Sequence, residues 1–166
     1  MNVRDTRELF GYDRWANAHV LALASTLSGE QRSRPSAASY VSVQGTLVHI
    51  LWSEWAWLGR WTSLRSIADP RTVADFDSLR RLWSTFENAQ RTFLSSLKEA
   101  DLHRPVSYQN PPGTTWTYSL QHMLQHVINH STYHRGQLTT MYRELGVAPR
   151  PLDFLDYFDH LHSAGA

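Results

Sequence analysis

The sequence predicts an all-α protein: a four-helix bundle with a short β-hairpin before the last long helix and a short C-terminal helix. Four long segments carry apolar residues at alternating spacings of three and four, as in helices that bury one face. Polar stretches that contain proline or glycine separate these segments. A length of 166 residues suits one hydrophobic core, so we expect a single domain over residues 1–166.

The first two helices are predicted at residues 6–27 and 43–64. The polar stretch after the first helix, which carries Pro35, is expected to be a loop. Ser42 is a suitable N-cap for the second helix because its side-chain oxygen can accept from a free backbone N–H. The core stripe of the second helix is apolar except at Glu54. Its positions are Val43, Leu47, Ile50, Glu54, Trp57, Trp61 and Leu64.

The third helix is predicted from just after Asp75 to about residue 98, following a second loop that contains Pro70. Its apolar stripe has one polar break, at Gln90. Beyond it, Val106 and Tyr108 alternate with polar residues before a Pro-Pro-Gly turn at 111–113. This pattern predicts a short, irregular hairpin.

The fourth long helix is predicted at residues 120–145, with Gly146 as the C′ residue that ends it. Residues 149–162 predict a short helix packed outside the bundle. The stripe of the fourth helix consists of Leu120, Leu124, Val127, Ser131, His134, Leu138, Met141 and Leu145. A histidine therefore stands on the face that should point into the core.

Composition excludes several classes of function. The formal net charge is +1, so no basic stripe suggests nucleic-acid binding. There are no cysteines, which excludes disulfides, thiolate ligands and a cysteine nucleophile. The charged N-terminal residues do not resemble a signal peptide, and no apolar run approaches the ~20 residues of a membrane span. We therefore expect a cytoplasmic protein.

The fourth helix contains four histidines spaced by four: His122, His126, His130 and His134. Each step of four drifts by roughly 40° around a helix, so only an adjacent pair can share one metal ion. His130 and His134 are the best pair by their position on the stripe, and His126 with His130 is the second. His122, in the first turn, is expected to face solvent. A helix that is merely rich in histidine remains the alternative.

Three segments carry a family resemblance: WAN at 15–17, LVHILWSEWAWLGRW at 47–61 and HVINHSTYHRGQL at 126–138. Together they resemble the DinB/YfiT family of metal-binding proteins. The resemblance implies a four-helix bundle, often dimeric, that holds a divalent metal with His49, His130 and His134. Spacing alone would not select His49. Other histidines were equally available by composition: His19, His103, His160 and His162.

Three imidazoles leave at least one coordination position open, which is typical of a catalytic site. The resemblance implies one divalent ion per chain, most simply zinc or nickel. Water or a low-molecular-weight thiol bound there would be the reactive group, in a hydrolase or a small-thiol-dependent S-transferase acting on a small molecule. The alternative is a non-catalytic, stress-associated protein with a structural or sensory metal. We expect a homodimer that binds neither nucleic acid nor membrane.

Several neighbours of the candidate ligands carry further expectations. Glu54 lies five residues after His49, about 140° around the helix, so we expect a buried carboxylate paired with an arginine rather than a general base. Asn129 and Gln137 are candidates to hold the ring N–H groups. Arg135 is expected to pair with acidic groups between helices.

Four tryptophans spread around the second helix: Trp52, Trp55, Trp57 and Trp61. They cannot all face the core, so one or two are expected to line a pocket or a dimer interface. Ordinary core packing is expected for Trp57 and Trp61.

Overall fold

The fold was analysed in a computed structural model, which describes residues 1–38, 40–62, 66–110 and 113–164. In chain order the helices are α1 (Val3–Ser25), α2 (Gly29–Ser33), α3 (Val43–Thr62), α4 (Phe76–Ser96), α5 (Glu99–Leu102), α6 (Leu120–Glu144) and α7 (Phe154–Ala164). A 3-10 turn spans Pro70–Thr72, and strands β1 (Pro105–Asn110) and β2 (Thr114–Ser119) form an antiparallel hairpin.

Side-chain caps fix where the long helices begin. The Asn2 side chain accepts from the backbone N–H of Asp5 at the start of α1. The Ser42 hydroxyl accepts from Gly45 N at 3.1 Å at the start of α3, as the sequence predicts. Asp75 and Ser119 cap α4 and α6 in the same way. Each cap satisfies a backbone donor that the first helical turn leaves free.

Four long helices form the bundle, with α6 packed against α1 and α3, and α4 packed against the same two helices from the other side. The predicted stripes of α3, α4 and α6 point into the core. Leu64, the last position of the predicted α3 stripe, lies outside the described residues. The bundle, the hairpin before the last long helix and the C-terminal helix are confirmed.

The β-hairpin closes one end of the bundle. Val106 pairs with Tyr118, and Tyr108 with Trp116, so these four side chains share one face of the ribbon. The predicted Pro-Pro turn at 111–112 lies outside the described residues. Leu120 N donates to Arg104 O at 3.0 Å, which holds the start of α6 against the start of the hairpin.

The structure corrects several predicted boundaries. The stretch after α1, expected to be a loop, contains α2, because Ser28 and Gln31 form a reciprocal capping box. The second predicted loop contains the 3-10 turn at Pro70–Thr72, capped by Asp69. The first helix begins at Val3 rather than residue 6, because Asn2 supplies its cap. None of the helices in the described part of the chain is long and apolar enough to cross a membrane.

Candidate metal centre

Three histidines from two packed helices bring their Nε2 atoms to one point. His49 lies on α3, and His130 and His134 lie one turn apart on α6. His130 Nε2 is 3.2 Å from His49 Nε2 and 3.2 Å from His134 Nε2. The three ligand atoms all lie within 4.8 Å of one another, so the group could hold a metal ion.

The spacing of these nitrogens fits a divalent ion. Ligand nitrogens at 2.0–2.1 Å from one metal are separated by about 2.8 to 3.4 Å in octahedral or tetrahedral geometry. The separations from His130 fall inside that range. The donor set also suits the chemistry, since three imidazoles are typical ligands of zinc, nickel, copper and iron.

A hydrogen bond orients the imidazole of His134. Its Nδ1 lies 2.6 Å from Oε1 of Gln137, one turn further along α6. Nδ1 therefore carries the proton and donates, so the Nε2 lone pair points toward His130. Gln137 thus has the role expected from the sequence. Asn129 does not, because its side chain is exposed on α6 and no hydrogen bond within the described residues joins it to an imidazole.

Burial keeps the three imidazoles neutral. Burial, with a smaller contribution from the nearby His134, lowers the pKa of His49 and of His130 to about 4. Burial also lowers the pKa of His134, opposed by its bond to Gln137. A metal ligand must be unprotonated, so the site is ready to bind at neutral pH without first releasing protons.

Tyr40 covers one side of the histidine group. Its ring stacks on His49 with centroids 3.7 Å apart and an interplanar angle of 14°, and it lies 5.4 Å from the His134 ring. Gly45 permits this position, because a Cβ at residue 45 would overlap the Tyr40 carbonyl oxygen. Sequence reasoning missed Tyr40, since it precedes α3 and belongs to no periodic stripe.

A buried polar network lies behind the histidines. We use this name for Asp13, Asn17, Glu54, Gln90, Ser131 and Arg135, all at most 2% exposed. Arg135 Nη1 donates to Asp13 Oδ1 at 2.5 Å and to Asn17 Oδ1 at 2.8 Å. This is the ion pair between helices that was expected for Arg135. The adjoining part of the network surrounds Glu54.

The pairing expected for Glu54 is wrong in detail. Its carboxylate accepts from Asn17 Nδ2 at 3.2 Å, Ser131 Oγ at 2.9 Å and Gln90 Nε2 at 3.0 Å, and no hydrogen bond joins it to an arginine in the described residues. Burial raises the pKa of Glu54 well above its ordinary value, and the neighbouring Asp13 carboxylate raises it further. Glu54 is therefore no part of the histidine group, as its position on α3 predicted.

The other histidines of α6 do not join the group. His122 is exposed, as expected. His126 lies 5.9 Å from His130 by ring centroids and packs instead against Trp57 at 5.2 Å. The structure thus gathers His49, His130 and His134, because helical drift carries His126 toward the hairpin.

Comparison with known proteins identifies the family of the chain. The model of the DinB family matches residues 1–162. A similar protein, "Protein DinB" of Bacillus subtilis, is 24% identical over 155 residues, which is 89% of this chain and 90% of that protein. The crystal structure of YjoA, a DinB-like protein of Bacillus subtilis, is similar in fold, with a TM-score of 0.60 and 23% identity over 81% of this chain and 89% of YjoA. The chain belongs to the DinB family.

Proposed function

We propose that His49, His130 and His134 hold one divalent metal ion, zinc or nickel, and that the protein uses it in a reaction on a small molecule. The observation that carries the proposal is the convergence of the three Nε2 atoms. Neutral imidazoles packed between α3 and α6 at this spacing suit a shared divalent ion. The Nε2–Nε2 distances of 3.2 Å from His130 to His49 and to His134 are those of ligands around one ion.

The chain leaves a coordination position available. Within the described residues, the group consists of three histidines, with no carboxylate as a fourth ligand. A divalent ion with an open position supplies Lewis acidity, which favours deprotonation of a bound water or thiol. The residues of the chain orient that position: Gln137 fixes the ring of His134, and Tyr40 shields the face of His49.

Two reaction classes suit this site: hydrolysis and transfer of a low-molecular-weight thiol. The sequence contains no cysteine, so a thiol would have to come from a cosubstrate. The alternative function is non-catalytic metal binding, in a stress-associated protein with a structural or sensory ion. This alternative is favoured because, within the described residues, the histidine group contains no carboxylate that could act as a general base.

Metal content tests the site. We expect about one metal ion per chain in purified, tag-free protein by plasma mass spectrometry. His49→Ala and His134→Ala should lose it, whereas His122→Ala, an exposed histidine of the same helix, should retain it. Metal that is absent after reconstitution, or retained in both ligand variants, would refute the proposal.

Cobalt substitution separates the reaction classes. A thiol that reaches the open position should give a thiolate-to-cobalt charge-transfer band on titration into cobalt-loaded protein, as expected when the metal stabilises a thiolate. The band, together with turnover of a thiol cosubstrate, would support the transferase. Ester or amide hydrolysis without thiol would support the hydrolase. A spectrum that responds to neither thiol nor other small ligands would indicate a closed, non-catalytic centre.

A further inference from the structure

A second feature of the surface lies beside the histidine group, between the β-hairpin and α6. We call it the aromatic cleft; its lining residues are Trp57, Tyr108, Tyr118, His122, Met123 and His126. Its volume is about 440 Å³, within the range typical of sites for small organic molecules. This is the kind of pocket expected from the tryptophans of α3, although Trp57 is also buried in the core.

Flat, rigid side chains form the walls of the cleft. The Trp57 ring meets Tyr108 edge-on at 5.1 Å and His126 edge-on at 5.2 Å. Tyr108 stacks on Tyr118 at 6.5 Å, and Tyr118 is 43% exposed at the open side. Because Trp57 and Met123 are buried and held by the bundle, the floor is formed in advance. Such walls suit a planar, apolar molecule.

A positive charge lies beside the cleft, on Arg60, which is not one of the lining residues but contacts two of them. The Arg60 guanidinium lies 4.2 Å from the centroid of the Trp57 ring and 4.4 Å from that of Tyr108, so it is held against two walls. No carboxylate in the described part of the chain forms an ion pair with Arg60. Burial lowers the pKa of Arg60, but a guanidinium still carries its charge at neutral pH.

The composition of the lining decides which ligand charge fits. None of the described lining residues carries a carboxylate, so an organic cation would have no counter-charge and would lie beside the Arg60 guanidinium. A neutral molecule would leave the guanidinium unpaired. A carboxylate can accept two parallel N–H bonds from the guanidinium, which is the pairing that Arg geometry favours.

The cleft lies next to the histidine group along α6. His126 lines the cleft and faces Trp57, while on its other side the His130 ring lies 5.9 Å away. Four residues, or about 6 Å of helical rise, separate His126 from His130 along the axis. A molecule with a two-ring body is long enough to span this distance.

We propose that the aromatic cleft binds an aromatic carboxylate, with its ring against Trp57 and Tyr118 and its carboxylate paired with Arg60. The remote end of the molecule then points along α6 toward His130. This proposal rests on the proposed function only for the reaction at that remote end, which would need the metal centre. Binding in the cleft needs no metal.

Calorimetric titration of the full chain with 2-naphthoate and with its neutral analogue 2-naphthamide tests the proposal. Naphthoate should bind with a Kd of about 1 mM or tighter, as expected for a ligand of this size, and more tightly than the amide. Arg60→Gln should weaken naphthoate binding about tenfold and leave naphthamide unchanged, because only the charged hydrogen bonds are lost. Arg80→Gln, an exposed arginine of α4, is the matched control.

A second variant, Tyr118→Ala, tests the cleft independently in case Arg60→Gln misfolds. Tyr118 is half-exposed on the hairpin, so Tyr118→Ala should fold and should weaken both ligands. Naphthoate that does not bind the wild type at millimolar concentration, or that binds equally to Arg60→Gln, would overturn the proposal. So would a preference for the amide.

His130→Ala separates this proposal from the metal centre. Naphthoate binding that persists in this variant, after its metal is lost, would show that the cleft is an independent site. Wild-type protein that takes up metal but not naphthoate would refute the cleft alone. Protein that binds naphthoate but no metal would refute the metal centre and leave the cleft standing.

Discussion

The chemistry of the histidine group depends on single side chains that do not touch the metal position. Gln137 fixes the tautomer of His134 through one hydrogen bond of 2.6 Å. Tyr40 stacks on His49, and its backbone can approach α3 only because residue 45 is glycine. Each of these contacts restricts a ligand ring that would otherwise rotate, so each should contribute to metal affinity by reducing the entropy lost on binding.

Removal of the Gln137 side chain should weaken metal binding. We expect Gln137→Ala to raise the Kd for zinc by about 10- to 100-fold, as is typical when the partner of a ligating histidine is removed. Gln137→Glu should retain the affinity, because a carboxylate accepts the same N–H bond. Competition with a chromophoric chelator measures both, with Gln125→Ala, an exposed residue of α6, as control. Equal affinities in all four proteins would contradict this role.

A methyl group at residue 45 should displace Tyr40 from His49. Gly45→Ala places a Cβ against the Tyr40 carbonyl oxygen, so the loop before α3 must shift. We expect the Kd for zinc to rise by about tenfold. Gly136→Ala is the matched control, because a Cβ at that helical position meets nothing within 4 Å. It should leave metal affinity unchanged and stabilise the fold by about 0.5–1 kcal/mol. Unaltered affinity in Gly45→Ala would show that Tyr40 does not restrain His49.

The helices differ in how well sequence predicts them, and the reason is periodicity. The long helices α1, α3, α4 and α6 repeat their apolar spacing over five or more turns, so pattern alone identifies them. The short helix α2 has no room for a period and depends on the Ser28–Gln31 capping box. The site shows the same contrast. His130 and His134 follow from spacing within one helix, whereas His49 depends on how α3 packs against α6, and family resemblance had to select it.

The buried polar network joins the helices through Glu54, and its protonation should set part of the pH dependence of stability. The pKa of Glu54 is raised in the folded state. At pH values above the ordinary pKa of an unfolded glutamate, about 4.3, folding is therefore accompanied by uptake of a proton. The contribution of Glu54 to the free energy of unfolding is therefore greatest at low pH. It is lost as the pH rises toward the pKa of Glu54 in the folded state. Urea unfolding at pH 5 and pH 8 measures this loss.

Glu54→Gln should be tolerated and should remove that pH dependence. The Gln90 Oε1 atom is buried without a partner in the described residues, so it can accept the new amide N–H once Gln90 rotates its amide. Glu54→Ala instead removes the acceptor of Ser131 and Gln90 and one of the two acceptors of Asn17, and should cost about 3 kcal/mol. Wild-type stability that rises from pH 5 to pH 8 relative to Glu54→Gln would contradict the assigned direction.

At the scale of the whole molecule, the proposed metal position lies beside a core built from other residues. The buried apolar residues form one cluster that involves all four long helices and the hairpin. Only α3 and α6 supply the candidate ligands, and these helices already pack against each other through their apolar stripes. Metal binding should therefore add stability to a folded protein rather than create the fold, unlike the small domains that are unfolded without zinc.

Chelation of the metal tests this directly. An ion present at about 1,000 times its Kd stabilises the fold by about 4 kcal/mol, which corresponds to a shift in Tm of roughly 8–16 °C for a chain of this size. We expect a chelator to lower the Tm of wild-type protein by that order, while helical circular dichroism at 25 °C is unchanged. His134→Ala should show no shift, since it has no ion to lose. A collapse of the helical signal on chelation would instead mark the metal as structural and favour the non-catalytic function.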